Sequence, residues 1–370
     1  MTGIAWRNLV RERTRLAISV GGVAVAVMLI LLLRGLYTGV NEEAARYLRS
    51  IGADLWIGQN GTRGGFGHSV SVLPADLREQ VEQVEGVEQV APLFGRPVVV
   101  TVGDDDEDLF LMGYDPDAAI GGPPEVLHGA ESPGAGEIIL DRVFADQAGL
   151  DVGDDIEVTG RRMRVAGIGA GGNSLITQYA WVAIPDVEAI SGTPGVVSYL
   201  VVRTNASTTP DDVARRITSA VPGTTVTSAD EFVSESTADI RESFVPILFV
   251  LVVIAVVIGT AVIGLTIYTS VIEKRQEYGV LKALGFSNRR LFGIVCRQSL
   301  VAGFLGLVAG AILSTVVSCA IEGLLPEFVT VLRPADYGLV VAATAVMSAL
   351  ASLLPVRRVA RLDPASVFRV

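Results

Sequence analysis

Hydrophobic positions are unevenly spread along the chain. Four stretches, residues 16–33, 243–272, 298–321 and 337–356, contain no Asp, Glu, Lys or Arg. A helix rises ~1.5 Å per residue and needs roughly 20 residues to cross the hydrocarbon core, so all four are long enough to be transmembrane helices. A soluble protein rarely builds four buried helices of such uninterrupted length. Between the first and second stretches the period shortens. A strand, a helix at 74–84 with Leu77, Val81 and Val84 on one face, and strands at 87–90 and 97–102 are predicted within residues 70–102. A similar order returns as a strand at 199–202, a helix at 210–220 opened by Pro210 and Asp211, and a strand at 224–227. Two β-α-β halves predict one α+β lobe, residues 52–102 and 192–227, split by an insert at 103–191. The insert alternates apolar and polar residues at 138–140, 156–158, 163–168 and 181–184 between Gly and Asp turns, and reads as a β-rich subdomain.

A second periodicity lies where this domain meets the apolar runs. Leu33, Tyr37, Val40, Ala44, Tyr47 and Ile51 follow a 4-3-4-3-4 spacing, as do Val233, Thr237, Ile240, Phe244, Ile247 and Leu251. The spacing continues the first two spans outward as paired stalk helices. Ser228 and Glu231 have the separation of a capping box and would start the second stalk. Such a seam either only packs the helices or also transmits motion, and periodicity leaves both readings open.

Composition and charge turn this pattern into a topology. Half of the residues are hydrophobic and mean hydropathy is +0.49, more apolar than one soluble domain needs. The net charge of −11 is divided, because acidic residues outnumber basic ones by more than two to one between Asn41 and Arg241. Arg7, Arg11, Arg13 and Arg15 precede the first span, Lys274, Arg275, Lys282, Arg289, Arg290 and Arg297 lie between the second and third, and Arg357, Arg358, Arg361 and Arg369 follow the fourth. The positive-inside rule makes these sides cytoplasmic. The predicted fold class is therefore an α-helical membrane protein with four transmembrane helices plus an extracytoplasmic α+β domain containing a β-rich insert. It would sit in the cell (inner or cytoplasmic) membrane as a multi-pass protein with both termini cytoplasmic.

The expected order is a cytoplasmic amphipathic helix (1–15), span one (16–40), the extracytoplasmic domain with its stalks (41–240), span two (241–272) and a cytoplasmic loop (273–297). Span three (298–321), an outer loop (322–336), span four (337–356) and a cytoplasmic tail (357–370) complete it. The first run exceeds the h-region of a signal peptide, and no small-residue cleavage site follows Arg34, so a retained helix is expected. Arg34 itself reads as a side chain snorkelling to the headgroups. Cys296 and Cys319 lie at opposite ends of span three, too far apart along a helix for a disulfide.

The loop between spans two and three carries the candidate chemistry. Glu273, Lys274, Arg275 and Glu277 form a charged lead-in to a short helix with Val280, Leu281 and Leu284 free to dock on a partner, Gly285 as its C-cap and Ser287 as the next N-cap. A bland amphipathic connector would read the same way. The segment resembles the coupling region of the MacB/FtsX-type ABC transporter permeases, whose inner loop commonly reads Arg-x-x-Glu-Ile-Gly-x-x-x-Ala-x-Gly. Glu277, Gly279, Ala283 and Gly285 match, Lys274 stands at the Arg position and Tyr278 at the Ile position. The lead-in Ala5-Trp6-Arg7-Asn8-Leu9 and the tail around Arg357, Arg358, Arg361, Asp363, Pro364 and Ala365 resemble the family's two ends. Four spans with one outer domain after the first complete the resemblance, which covers essentially the whole chain.

The resemblance implies a homodimeric permease that docks two copies of a cytoplasmic ABC ATPase through the 273–290 loop and moves its outer domain as they open and close. The chain has no Gly-x4-Gly-Lys-Ser/Thr motif to cradle phosphates, so no ATPase activity of its own is expected, and ATP and Mg would be bound by the partner. About 15 residues precede the first span, which suggests an ATPase on a separate chain. His68 and His128 are too isolated for zinc. The acidic run 104–108 lacks the spaced ligands of a calcium loop and reads as a solvated turn. Gly-rich residues 58–67 read as a loop, and the acidic exterior argues against nucleic acid.

Three readings compete, one of them a membrane receptor with a passive inner loop. Another is export of a hydrophobic or amphipathic compound (drug, haem, lipid or peptide), with Tyr37, Tyr47 and Phe244 as candidate substrate contacts that also suit interfacial anchors. The last is mechanotransmission, as in FtsX, in which the outer domain switches an extracytoplasmic hydrolase or sensor and nothing crosses. The size of the outer domain favours export.

Overall fold

A computed structural model describes residues 13–62, 71–103, 105–118, 120–172, 178–284, 287–324 and 329–360. Most of the expected N-terminal helix, most of the tail, Gly285 and half of the Gly-rich stretch (63–67) lie outside the described residues. In chain order the elements begin with α1 (Arg13–Ser50), β1 (Leu55–Gln59), β2 (Leu73–Pro74), α2 (Leu77–Glu82), β3 (Val87–Val102) and β4 (Asp105–Tyr114). They continue with β5 (Glu125–Gly129), β6 (Glu137–Asp141), α3 (Arg142–Ala148), β7 (Asp155–Val158), β8 (Arg161–Ala170), β9 (Tyr179–Ala183) and α4 (Ile184–Ser191). The last are β10 (Val196–Val197), β11 (Tyr199–Thr204), α5 (Pro210–Ala220), β12 (Thr224–Ser228), α6 (Ala229–Glu273), α7 (Arg275–Ala283), α8 (Asn288–Leu324) and α9 (Pro334–Ala360).

The chain divides into a helical unit, residues 1–38, 244–325 and 329–370, and a mixed unit, residues 39–243 with 326–328. Four helical segments, Thr14–Ser50, Phe244–Glu273, Arg289–Leu324 and Pro334–Leu353, are long and apolar enough to cross a membrane. The third helix starts at Asn288, so Arg289, Arg290 and Arg297, expected in a loop, lie on it. Arg is a good helix former and does not stop a helix by being charged.

The core of the helical unit joins Val23, Val27, Ile30 and Leu31 of α1 to Ile263 and Ile267 of α6, Leu291 and Val295 of α8, and Val340 and Met347 of α9. Small residues let these helices approach closely. A β-carbon at Gly306 would lie 2.4 Å from Val23 Cβ, and one at Gly310 would lie 2.7 Å from Val27 Cβ and 2.6 Å from the Ala24 carbonyl oxygen. Both helices step by four residues between these contacts, so α1 and α8 pack in parallel along their i,i+4 ridges.

The mixed unit contains a ten-stranded sheet in the order β12-β1-β11-β3-β4-β9-β6-β8-β5, with β7 pairing both β3 and β8, and a separate pair of β10 and β2. That second pairing closes β3, β4, β9, β6, β8 and β7 into a six-stranded ring around Val100, Leu111, Ile138, Leu140, Val158, Met163, Val165 and Val182. The expected β-rich insert is thus a barrel, and closing it removes the exposed edges that an open sheet would carry. β3 serves both halves of the unit. Its first residues pair with β11 through Val87–Leu93, and its last pair with β7 at Val100 and Thr101. Pro97 falls between these pairings, where the missing N–H costs no ladder bond. At Gly95, the Ser198 hydroxyl accepts the backbone N–H at 3.2 Å in place of a strand.

Several expectations change here. The two strands expected at 87–90 and 97–102 are one 16-residue strand. The acidic run is no turn from Asp105 onward, because Asp105, Asp106, Glu107 and Asp108 begin β4 with their side chains exposed and pair with Val99–Val102. The insert also holds two helices, α3 and α4, that strand alternation did not reveal.

The lobe has three layers. Leu55, Ile57, Leu200 and Val202 on one face of the sheet pack with Val81 of α2 and with Val213 and Ile217 of α5. Trp56, Tyr199 and Val201 on the other face pack with Tyr47, Leu48 and Ile51 at the end of α1 and with Phe232 and Val233 at the start of α6. β1 and β11 are therefore apolar at every central position rather than alternating.

Candidate functional site

The segment singled out by sequence folds as a short helix between two long ones. α6 ends at Glu273, and Lys274 departs from helical backbone (φ −88°, ψ 17°) while its N–H donates to the Ser270 carbonyl at 3.1 Å. α7 then carries Arg275, Glu277, Gly279 and Leu281 in nine residues, with Glu277 in its first turn and Lys282 in its last, the charge order that suits a helix dipole. Gly279 is buried, whereas Val280 is 44% and Leu284 is 72% exposed. Val280 on this helix and Leu284 at its C-cap are two large aliphatic side chains left open, a surface of the kind a partner groove covers. The Ser287 carbonyl accepts from Arg290 and Leu291 and so starts α8, as expected of an N-cap position. At the base of this segment Glu273 accepts a hydrogen bond from Arg15 of α1, an ion pair that sequence reasoning did not anticipate.

The seam residues divide into two groups. Within the mixed unit, Tyr47, Val233 and Ile51 are core residues and Val40 is buried, while Ala44 is half-buried. Within the helical unit, Leu33, Tyr37 and Phe244 are half-buried and Ile247 is 59% exposed. Ile240 belongs to α6 by its backbone. The spacing thus marks a buried face at the ends inside the mixed unit and does not bury Ile247.

The candidate substrate residues also separate. Tyr47 is 2% exposed, its hydroxyl accepts the Trp181 indole N–H at 3.2 Å, and its ring lies 4.5 Å from that of Tyr179. It is a core residue of the mixed unit and offers no open face to a ligand. Burial pushes the Tyr179 phenol well above its usual range. Phe232 stacks on Trp56 at 4.0 Å, and Tyr199 meets both edge-on. Tyr37 lies under the Arg34 guanidinium at 5.8 Å. Arg34 does not simply snorkel. Its Nε donates to Asp336 at 2.8 Å, and a buried carboxylate partner outweighs solvation as the reason for its orientation. Opposite charges at the ends of two spans were the available signal for this pair. Among the described residues no group of three His, Cys, Asp or Glu side chains could hold a metal.

Four membrane-crossing helices, a mixed α/β extracytoplasmic domain and a short helix between the second and third spans define a multi-pass integral membrane subunit. Residues 16–220 match the family model of the MacB-like periplasmic core domain, and residues 249–364 match that of the FtsX-like permease C-terminal region. The chain belongs to the MacB/FtsX-type permeases of ABC transporters. It is 27% identical over 364 residues, 98% of each chain, to an ABC transporter permease of Mycobacterium bovis, and 26% identical over 373 residues, again 98% of each, to one of Mycobacterium tuberculosis. Among solved structures it is similar to the extracellular domain of the transporter YknZ from Gram-positive bacteria, with TM-score 0.37, 16% identity, and coverage of 47% of this chain and 98% of that one. It is also similar to the periplasmic region of MacB from Actinobacillus actinomycetemcomitans, with TM-score 0.39, 15% identity, and coverage of 50% and 92%.

Proposed function

We propose that this permease works as a homodimer with two copies of a cytoplasmic ABC ATPase on a separate chain, which binds ATP and Mg. The ATPase docks on residues 273–287, and hydrolysis moves the extracytoplasmic domain to expel a hydrophobic or amphipathic compound. On this reading both termini and the α7 segment face the cytoplasm of a cell (inner) membrane. The observation that carries it is the course of α6. Its first turns hold Phe232 and Val233 in an aromatic core, and its last residue, Glu273, adjoins the short helix with exposed Val280 and Leu284. One helix thus joins the docking segment to the moving part.

The test is co-purification. Replacing Leu281 and Leu284 by Asp removes ATPase from the purified complex if the segment docks it, and unaltered recovery rejects the assignment. A second reading, mechanotransmission to an extracytoplasmic hydrolase or sensor without export, draws support from the enclosure of Tyr47 and the stacking of Tyr37 with Arg34, which weaken two of three candidate substrate contacts. Stimulation of the reconstituted complex's ATPase by candidate amphiphiles favours export. Activation of a bound hydrolase without such stimulation favours the second reading.

A further inference from the structure

Among the described residues Asp336 is the only buried carboxylate of the helical unit, at 1% exposure. Its Oδ1 accepts from Arg34 Nε of α1 at 2.8 Å, and its Oδ2 accepts from the Arg333 backbone N–H at 3.0 Å, which caps the start of α9. An ionisable group buried in a membrane bundle is costly, and its partner identifies what it is there to hold. The partner here is α1, whose guanidinium is further fixed by the Tyr37 ring at 5.8 Å. The other end of the same span is held as well, by the ion pair between Arg15 and Glu273 at the end of α6. Arg15 and Arg34 are separated by about 28 Å of helix, close to the ~30 Å thickness of a hydrocarbon core. The first span is therefore bracketed by charge at both faces, to a different neighbour at each.

We propose that Arg34 and Asp336 are positioning residues that clamp the depth of α1 against α9, so that α1 cannot slip along the bundle when the cytoplasmic segment is driven. This rests on the coupling reading above and assigns the residues that make it efficient. An apolar contact alone would permit sliding by a turn, since the α1–α8 face repeats every four residues at Gly306 and Gly310. A single buried ion pair has one register and does not repeat, a role for which buried polar groups are best attested.

The experiment uses the full permease–ATPase complex in nanodiscs and follows ATP-dependent hydrogen exchange at residues 39–51 and 229–238. D336N keeps an acceptor for the Arg333 N–H and removes the charge. R34M/D336N removes both charges and leaves none orphaned. Both variants are expected to retain ATPase in wild-type amounts while the ATP-dependent exchange change falls at least about threefold. R34M alone, which leaves Asp336 buried without its cation, is expected to lower the yield of folded protein, and adding D336N should restore yield without restoring the exchange response. An undiminished response in either D336N or the double variant overturns the clamp. Loss of ATPase from wild type, or a wild type with no ATP-dependent change, overturns the coupling reading and the clamp together, so the two failures are distinct.

Discussion

The two units of this permease fill their cores with different side chains. In the helical unit the buried core is built from aliphatic side chains, Ala and Met, with no aromatic ring among the described residues, and glycines stand at helix contacts, Gly22 against Val262, Gly306 against Val23, Gly303 against Ser348 and Gly259 against Met347. In the mixed unit the largest fully buried side chains include Trp56, Trp181 and Phe144, and the core around the helix ends is built from Tyr47, Trp56, Trp181, Tyr199 and Phe232. Lipid is as apolar as a helix surface, so burying more apolar area gains little there and close backbone approach gains dispersion. A domain in water gains from every apolar area it buries, and aromatic rings carry the most. The same chain thus solves two solvents with two residue sets.

The contrast breaks most sharply at Trp181. Trp181→Ala should destabilise the mixed unit by about 3–5 kcal/mol, the usual range for a large aromatic lost from a core. Limited proteolysis of the full chain would then cut within 39–243 while the helical segments stay protected, and equal loss of both would show that the units do not stabilise themselves separately. Gly310→Leu is the converse. The new side chain would have to enter where even a β-carbon would lie 2.6 Å from the Ala24 carbonyl oxygen, so about 1–3 kcal/mol of overpacking falls on the helical unit alone. The check is detergent thermal stability with unchanged proteolytic protection of the mixed unit.

Much of this division was legible in the sequence. Four charge-free runs fix four helices because membrane thickness fixes their length, and Gly306 and Gly310 stand four residues apart as in close-packed membrane helices. The lobe was also readable, since α5 begins at Pro210 and β11 and β12 lie where alternation and turns place them. The barrel closure was not. It depends on β7 pairing with β3 58 residues earlier (Val158 with Val100) as well as with its neighbour β8, and periodicity carries no partner information. The helix α3 was missed although it had local signals, a capping Asp141 that accepts the Val143 N–H and a terminal Gly149 in the left-handed region. At seven residues it is too short to show a helical period. The candidate coupling segment, residues 273–287, was singled out by resemblance and charge. The two ion pairs of α1 escaped because Glu273 and Asp336 are 258 and 302 residues from their partners.

Within the mixed unit the contact that ties α1 to the barrel can be weakened without removing volume. Tyr47→Phe keeps the ring that packs on Tyr179 and deletes the acceptor of the Trp181 indole N–H. A buried donor left unsatisfied costs about 1–3 kcal/mol, less than the cavity of Trp181→Ala and with no change in shape. Trp181 fluorescence should shift while the proteolytic pattern stays native. A wild-type stability would mean that the aromatic packing, and not the hydrogen bond, holds the end of α1.

The smallest effect tests where the water-facing half of α6 begins. The Ser228 hydroxyl accepts the Glu231 N–H at 3.3 Å, the Ala229 N–H donates to the Asp54 carbonyl at 2.9 Å, and Asp230 and Glu231 place negative charge in the first turn. Ser228→Ala removes only the first of these, so about 1 kcal/mol is expected, with Ser228→Asp restoring it through both the acceptor and the helix dipole. Hydrogen exchange at 229–233 should quicken, and because Phe232 sits on that turn stacked at 4.0 Å on Trp56, the fraying competes directly with aromatic packing. Unchanged exchange would mean that the stack and the Asp54 bond already fix the turn. A faster exchange confined to these residues would instead show that the long helix is started by a polar cap in water and is held farther along by contacts that no cap can reach.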